Sequence, residues 1–299
     1  MIGSALVETL MAGGSRVLRL VRRQPRAGGD EARWDPAVGE VDAAALEGLD
    51  AVVHLAGESI AAGRWTAERK DQILRSRTES TSLLSGALAR LTRPPATLIS
   101  ASAIGFYGNR GDEVLTEESP PGVGFLAEVC REWEAAAEPA RQAGIRVVNL
   151  RIGVVLSARG GALKQMLPAF KTGAGGRIGD GRQYISWIAL SDLVAAVRFL
   201  LTTPQASGPV NAVAPHPVTN AEFTKALGRA LGRPTLLPLP AFAVRLAFGE
   251  MGEALLLGGA RVLPARLQAA GFRFRHAELE GALHAALAEG AQAPPAPTA

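Results

Sequence analysis

The chain has 299 residues, 47% hydrophobic and 20% charged, with a net charge of +4. That composition is globular, long enough for one large domain or two modest ones, and excludes a disordered or fibrous chain. Only four of the 32 basic residues are lysines and no basic run is interleaved with aromatics, so the basicity reads as compositional bias and no nucleic-acid partner is expected. Cys130 is the one cysteine, which excludes an internal disulfide and fits a reducing, cytoplasmic compartment. No apolar run reaches about 18 residues, so no membrane span is expected, and no secretory leader pattern opens the chain. The four histidines have no ligand spacing, so no metal is expected.

The opening Met1-Ile2-Gly3-Ser4-Ala5-Leu6 reads as the end of a dinucleotide-binding turn as it becomes a helix, with Ile2 and Gly3 against the pyrophosphate. Ile2, Leu6, Val7 and Leu10 predict a helix ended by Gly13-Gly14. Arg16–Val21 predicts a strand followed by Arg22-Arg23. The tip of such a strand faces the adenosine ribose, and arginine there accommodates a 2′-phosphate, favouring NADP over NAD; a solvated basic turn is the alternative. Residues 24–40 read as a loop and 42–49 as a short helix. Ala51–Leu55 is a buried parallel strand that ends in Ala56-Gly57-Glu58, where small residues let a cofactor lie against the backbone.

Thr66–Leu91 predicts a long helix capped by Thr66, with Arg77 turned inward toward phosphate. The strand from Thr97 runs into Ser100-Ala101-Ser102 and on to Tyr107-Gly108. Hydroxyls at that end of a central strand overlie the ligand crevice, or else cap a turn. A helix over 125–143 and a buried strand over 145–150, followed by Arg151, complete the alternation. Together these predict an α/β fold with a doubly wound parallel sheet.

Beyond Arg151, Gly160-Gly161 lead into an amphipathic helix over 163–171 and then a glycine-rich loop over 173–182. A strand over 183–188, a helix capped by Ser191 through Thr202, a strand over 210–213 and a helix opened by the capping box Thr219-Asn-Ala-Glu222 follow. Residues 291–299 read as a disordered tail. The expected division is a dinucleotide-binding domain over 1–159, joined by elements from about 183–213, and a smaller substrate lobe over 160–290.

The stretches HLAGESIAAGRW, SRTESTSLL, ISASAIGFYG, GFLAEVCREWEAAA, RIGVVLSARGGAL, GGRIGDGRQYISWIALSDLV and RVLPARLQAAGFRF resemble, in order and over nearly the whole chain, the extended short-chain dehydrogenase/reductases. The similarity is to the nucleotide-sugar epimerase branch, and within it to atypical epimerase-like proteins that end in a domain of unknown function. The resemblance implies a Rossmann-type domain and NADP(H). It places cofactor contacts at Ile2, Gly3, Val21, Arg22, Leu55, Ala56, Gly57, Glu58, Arg77, Ser100 and Arg151. It places a small-molecule substrate against Arg177, Arg182 and Gln183, and implies a homodimer through the helices over 66–91 and 125–143.

Two departures stand out. The family begins with a strand and a full glycine turn, whereas this chain opens inside that turn; the expectation is that the natural start lies roughly 10 residues upstream, one strand plus the missing glycines. The family's catalytic Tyr-x-x-x-Lys, whose lysine lowers the phenol pKa, has no counterpart: Gly111 follows Tyr107 at that distance and Ile188 follows Tyr184. Ser102 and Tyr107 remain as hydroxyls expected near the nicotinamide, with Glu58 or Glu128 as further acid–base candidates. The expected functions are an NADP(H)-dependent oxidoreductase or epimerase-like enzyme with a nonstandard proton donor, or a non-catalytic NADP(H)-binding regulator or scaffold of the kind linked to cell division among relatives.

Overall fold

The computed structural model describes residues 1–26 and 28–292. The chain opens with α1 (Ile2–Ala12), whose Leu6 is buried while Ile2, Ala5 and Leu10 pack beside it. Strand β1 (Arg19–Val21) is shorter than the expected 16–21. The segment expected as a loop over 24–40 contains β2 (Glu31–Asp35), parallel to β1, and β3 (Glu40–Val41), antiparallel to β2. Glu31 fastens it. Its carboxylate accepts from Arg23 (2.6 Å), Arg19 (2.8 Å) and the Arg26 backbone N–H (3.1 Å). The Arg23 bond, then the Arg26 bond, lower its pKa to about 2. The expected helix over 42–49 is a single 3₁₀ turn at Ala44–Leu46.

Strand β4 (Ala51–His54) leads through a loop to α2 (Ala67–Ala89), capped by Thr66, whose hydroxyl accepts from the Arg69 N–H. After β5 (Thr97–Ala103) and β6 (Val114–Leu115), the single helix expected over 125–143 is two, α3 (Phe125–Ala135) and α4 (Glu138–Gln142). The break coincides with Pro139, which has no N–H to continue the ladder, and with the Ser85 hydroxyl, which donates to the Ala136 carbonyl (2.8 Å). Strand β7 (Arg146–Ile152) bends into β8 (Val154–Leu156), followed by α5 (Gly161–Lys171). The strand expected over 183–188 is split into β9 (Tyr184–Ile185) and β10 (Trp187–Ala189). Helix α6 (Leu190–Leu201) starts one residue before Ser191, which therefore does not cap it. Then come β11 (Gly208–Ala212), β12 (Val218–Thr219) and α7 (Asn220–Leu231), opened by the capping box of Thr219 and Glu222. The chain closes with α8 (Ala241–Phe248), α9 (Glu250–Gly252), β13 (Arg261–Val262), α10 (Ala265–Ala269) and α11 (Leu279–Gln292). Of the expected tail, Ala291 and Gln292 belong to α11, and 293–299 lie outside the described residues.

The main sheet is parallel, in the order β11-β7-β5-β4, and a smaller sheet has the order β1-β2-β3. Each of β1 and β4 has a hydrogen-bonded neighbour on one side only. Helices cover both faces of the main sheet, giving the Rossmann-type α/β architecture. On one face Val53, Ile99, Val148 and Leu150 pack against Leu6 of α1 and Leu193, Val194 and Val197 of α6. On the other, Val52, Leu98 and Val147 pack against Leu84 and Leu88 of α2 and Ala140 of α4. The C-terminal lobe has a core of its own, in which Leu156 of β8 and Trp187 of β10, a separate parallel pair, join residues of α5, α7 and α11.

His54, on β4, is 4% exposed and lies edge-on to Trp34, ring centroids 5.6 Å apart. Burial lowers its pKa from 6.5 to about 4. The folded chain therefore holds a neutral imidazole where the unfolded chain takes up a proton below pH 6.5, so this contribution is complete above 6.5 and is lost as pH falls toward 4. In urea titrations between about pH 7 and about pH 4.5, His54→Gln is expected to lose less stability than the parent chain; parallel pH profiles would refute this assignment.

Candidate functional site

Ligands of open α/β sheets bind beyond the carboxyl ends of the strands. Three features meet that end here. The first turn of α1 carries no acidic residue and no side-chain cap, and a Cβ placed on Gly3 would meet nothing within 4 Å. Its backbone N–H groups therefore present positive partial charge to open space. Val21 ends β1, and the next residue, Arg22, is exposed with no ion pair among the described residues, whereas Arg23 is taken by Glu31.

Leu55, Ala56 and Gly57 follow β4 into a loop held by four contacts. Arg77 donates to the Glu58 carbonyl (2.8 Å), the Glu58 N–H donates to the Ser76 hydroxyl (3.3 Å), Arg69 donates to the Ser59 carbonyl, and the Trp65 indole donates to the Ile60 carbonyl (2.8 Å). Arg77 is turned inward as expected, 9% exposed, but its guanidinium is spent on the Glu58 and Ile73 carbonyls and the Trp133 ring (5.0 Å). It shapes the loop and does not reach into open space. A Cβ on Gly57 would lie 3.3 Å from it, which explains the glycine. Glu58 is exposed at the loop's edge.

Below these features lies a buried polar layer between the sheet and helices α2 and α3. It forms two rows that cross the strands in register. His54, Ser100 and Asn149 are paired neighbours on β4, β5 and β7; one step toward the carboxyl ends, Ser102, Arg151 and Asn211 are paired neighbours on β5, β7 and β11. All six are no more than 5% exposed. Ser102 donates to Glu134 of α3 (2.7 Å). Arg151 grips the same carboxylate twice, at 2.8 and 2.9 Å, and donates to the Tyr107 hydroxyl at 3.0 Å. Tyr107 donates in turn to Asn211 Oδ1 (2.7 Å). The Asn211 amide donates to the Leu263 carbonyl and its backbone N–H to Glu117, each at 2.9 Å. The Arg151 guanidinium also stacks on Phe106, 3.4 Å from the ring centroid.

This layer holds several of the expected site residues. Ser102 and Tyr107 were expected near the nicotinamide, but their hydroxyls are committed inside the network, and Tyr107 has 0% exposure. Burial raises the Tyr107 pKa against the pull of Arg151, away from the range in which a phenol exchanges protons near neutrality. Arg151 was expected to contact cofactor, and it is an internal partner of Glu134 instead. Cys130, on α3, is a buried thiol whose pKa burial pushes up to about 11. Ser100 differs: its buried hydroxyl has no partner among the described residues. Glu128 is exposed, beside a cavity of about 500 Å³ lined also by Lys70, Phe125, Arg131 and Glu250 where α2 and α3 begin. In the lobe, Arg177 and Arg182 are exposed, while the Gln183 amide is used internally, donating to the carbonyls of Ile178 (3.1 Å) and Leu256 (2.7 Å).

Glu134, Asn211 and Glu117 had no motif to mark them. The available signal is the alternation of polar residues within apolar strands, Ser100/Ser102 and Asn149/Arg151, which places them on one face.

A dinucleotide-type sheet end of this kind defines a class, and residues 1–213 match the profile of the NAD dependent epimerase/dehydratase family, to which the chain belongs. Residues 239–286 match a domain of unknown function (DUF1731). Over 283 residues, 95% of this chain and 93% of the relative, it is 51% identical to "Epimerase family protein Mb2239" of Mycobacterium bovis. The crystal structure of human epimerase family protein SDR39U1 with NADPH superposes with a TM-score of 0.87 at 36% identity, covering 95% of both chains. A nucleoside-diphosphate sugar epimerase from Corynebacterium glutamicum is 41% identical with a TM-score of 0.77, covering 95% of this chain and 55% of the other.

Arg151 is the hub of the buried layer, and its removal strands a desolvated carboxylate. Arg151→Met is expected to cost about 3–5 kcal/mol in urea unfolding, with part of the loss recovered in the double variant Arg151→Met/Glu134→Gln. A loss below about 1 kcal/mol would mean that the pair behaves like a surface bridge.

Proposed function

We propose that this chain is an NADP(H)-binding epimerase-like oxidoreductase that works without the usual Tyr-x-x-x-Lys relay. The observation that carries the cofactor reading is Gly3 in the first turn of α1, with room around it, together with Arg22, which is exposed and has no ion pair among the described residues. The residues present fit the group. Ile2 and Gly3 would receive the pyrophosphate on backbone N–H groups. Arg22, just past Val21, would receive the 2′-phosphate, and the Leu55–Glu58 turn would lie along the dinucleotide with Ser100 offering its unpartnered hydroxyl. NADPH in the human relative supports the same choice of cofactor. When bound, NADP(H) supplies a hydride; the chain's own residues bind and orient it, and Arg177 and Arg182 offer exposed cations to an anionic small-molecule substrate.

One observation favours a second reading, a non-catalytic NADP(H)-responsive regulator or scaffold. Both hydroxyls expected to move protons, Ser102 and Tyr107, are saturated inside the protein. In either case a homodimer through α2 and α3 is part of the proposal.

Calorimetric titration with NADPH and NADH separates the cofactor claim from its rivals. Selective NADPH binding is expected, with Arg22→Ala weakening NADPH about ten-fold, or about 1.4 kcal/mol, and leaving NADH unchanged. An unaltered NADPH/NADH ratio in the variant, or no binding of either nucleotide, would overturn the reading.

A further inference from the structure

Eleven large hydrophobic side chains are exposed among the described residues, and six of them fall within residues 236–248. Leu236 is 83% exposed, Leu237 62%, Phe242 71% and Leu246 77%. Phe242 and Leu246 are four apart on α8 and share its outer face, while Val244, fully buried, anchors the inner one. The support beneath them is fixed. The Leu239 N–H donates to the Arg177 carbonyl (2.8 Å), the Gly179 N–H donates to the Leu239 carbonyl (2.9 Å), and Arg64 donates to the Leu246 carbonyl (3.2 Å). These side chains therefore stand out from a held segment and are not a frayed end.

Within the segment itself every charge is basic, with Glu222 bordering it beside Lys225. From Phe223 to Gly249 the chain carries Lys225, Arg229, Arg233 and Arg245 and no Asp or Glu. Arg229 and Arg245 are paired at the surface with Glu280 and Glu253. Lys225 and Arg233 have no ion pair among the described residues and line a cleft of about 350 Å³ that ends at Thr235, one residue before Leu236. Arg177, exposed, is joined by backbone to Leu239. The nearest acids to α8, Glu250 and Glu253, face Lys70 and Arg245. Asp180, in the Arg177 loop, accepts from the Arg182 backbone N–H.

We propose that this surface docks on an anionic phospholipid bilayer. Leu236, Leu237, Phe242 and Leu246 enter the interfacial zone, and Lys225 and Arg233 meet the headgroup phosphates. Aliphatic and aromatic side chains that project singly, backed by cations, match the charge and softness of such a surface. No helix among the described residues is long and apolar enough to cross a membrane, so the attachment is peripheral. The inference is independent of the cofactor reading.

Vesicle co-sedimentation with the whole chain tests it, comparing pure phosphatidylcholine with phosphatidylcholine mixed with phosphatidylglycerol. Binding to the mixed vesicles only is expected, weakened by added salt. Phe242→Ser/Leu246→Ser should abolish it with an unchanged melting temperature, and Arg233→Gln should weaken it about five-fold. Equal binding to both vesicle types, or none to the anionic ones, would overturn the proposal. So would a dimer, read by light scattering, that Phe242→Ser/Leu246→Ser dissociates without any vesicle binding by the parent; the face would then be a contact between copies of this chain.

Discussion

The fold depends on one buried ion pair. Arg151 comes from the centre of the main sheet and Glu134 from the helix that covers it, and they meet where water is excluded. Desolvation works against both charges. The two-pronged hydrogen bond of Arg151 to Glu134, with Ser102 donating to the same carboxylate, outweighs it, and the pKa of Arg151 is raised despite its burial. Once that pair is in place, its neighbours have little freedom. Tyr107 must present its oxygen to Arg151 and its hydrogen to Asn211, and Asn211 must reach Leu263 in the C-terminal lobe. A single network thus ties helix, sheet and lobe together, and a half-satisfied version of it would be costly.

The two faces of the sheet are consequently unlike. The α1 and α6 side is apolar along most of its length, with Arg146 and Thr97 at its amino end, where Arg146 donates to Thr97 and to the Leu200 carbonyl. The α2 and α3 side turns polar toward the carboxyl ends, where His54 meets Ser80, and Trp133 donates to Thr81. The polar side is where an active centre of this family would be sought, yet most of its polar atoms are paired internally. What faces outward is the set that could hold a dinucleotide: the α1 N-terminus, Arg22 and the turn after β4. The candidate binding features are open to solvent, whereas the hydroxyls expected to do chemistry are hydrogen-bonded inside the protein. That asymmetry leaves both an enzyme with another proton donor and a regulator consistent with one architecture.

The lobe adds a surface of a different kind. Its inner side is an ordinary core built on Trp187, Phe223 and Leu283. Its outer side carries Phe242 and Leu246 on a helix with a single buried residue, Val244. Local pattern alone would place such a helix in a bundle, but here Phe242 and Leu246 stay exposed among the described residues.

Sequence by itself determined the alternation of helix and strand, the order of elements and the family, because buried strands such as AVVHL and helix caps such as Thr66 and Thr219 are written locally. It also singled out Arg22 and Gly3 as candidates, since a turn's residues are near neighbours in sequence. Tertiary structure decided everything that rests on contact between distant segments. Ser102 and Glu134 are 32 residues apart, and Tyr107 and Asn211 are 104 apart. The strand over 31–35 escaped notice because it is stabilised by Arg19 and Arg23 across a turn and has no apolar run of its own. The same limit explains Tyr107: a phenol at the end of a central strand looks available until the register of β5, β7 and β11 brings Arg151 and Asn211 to its oxygen.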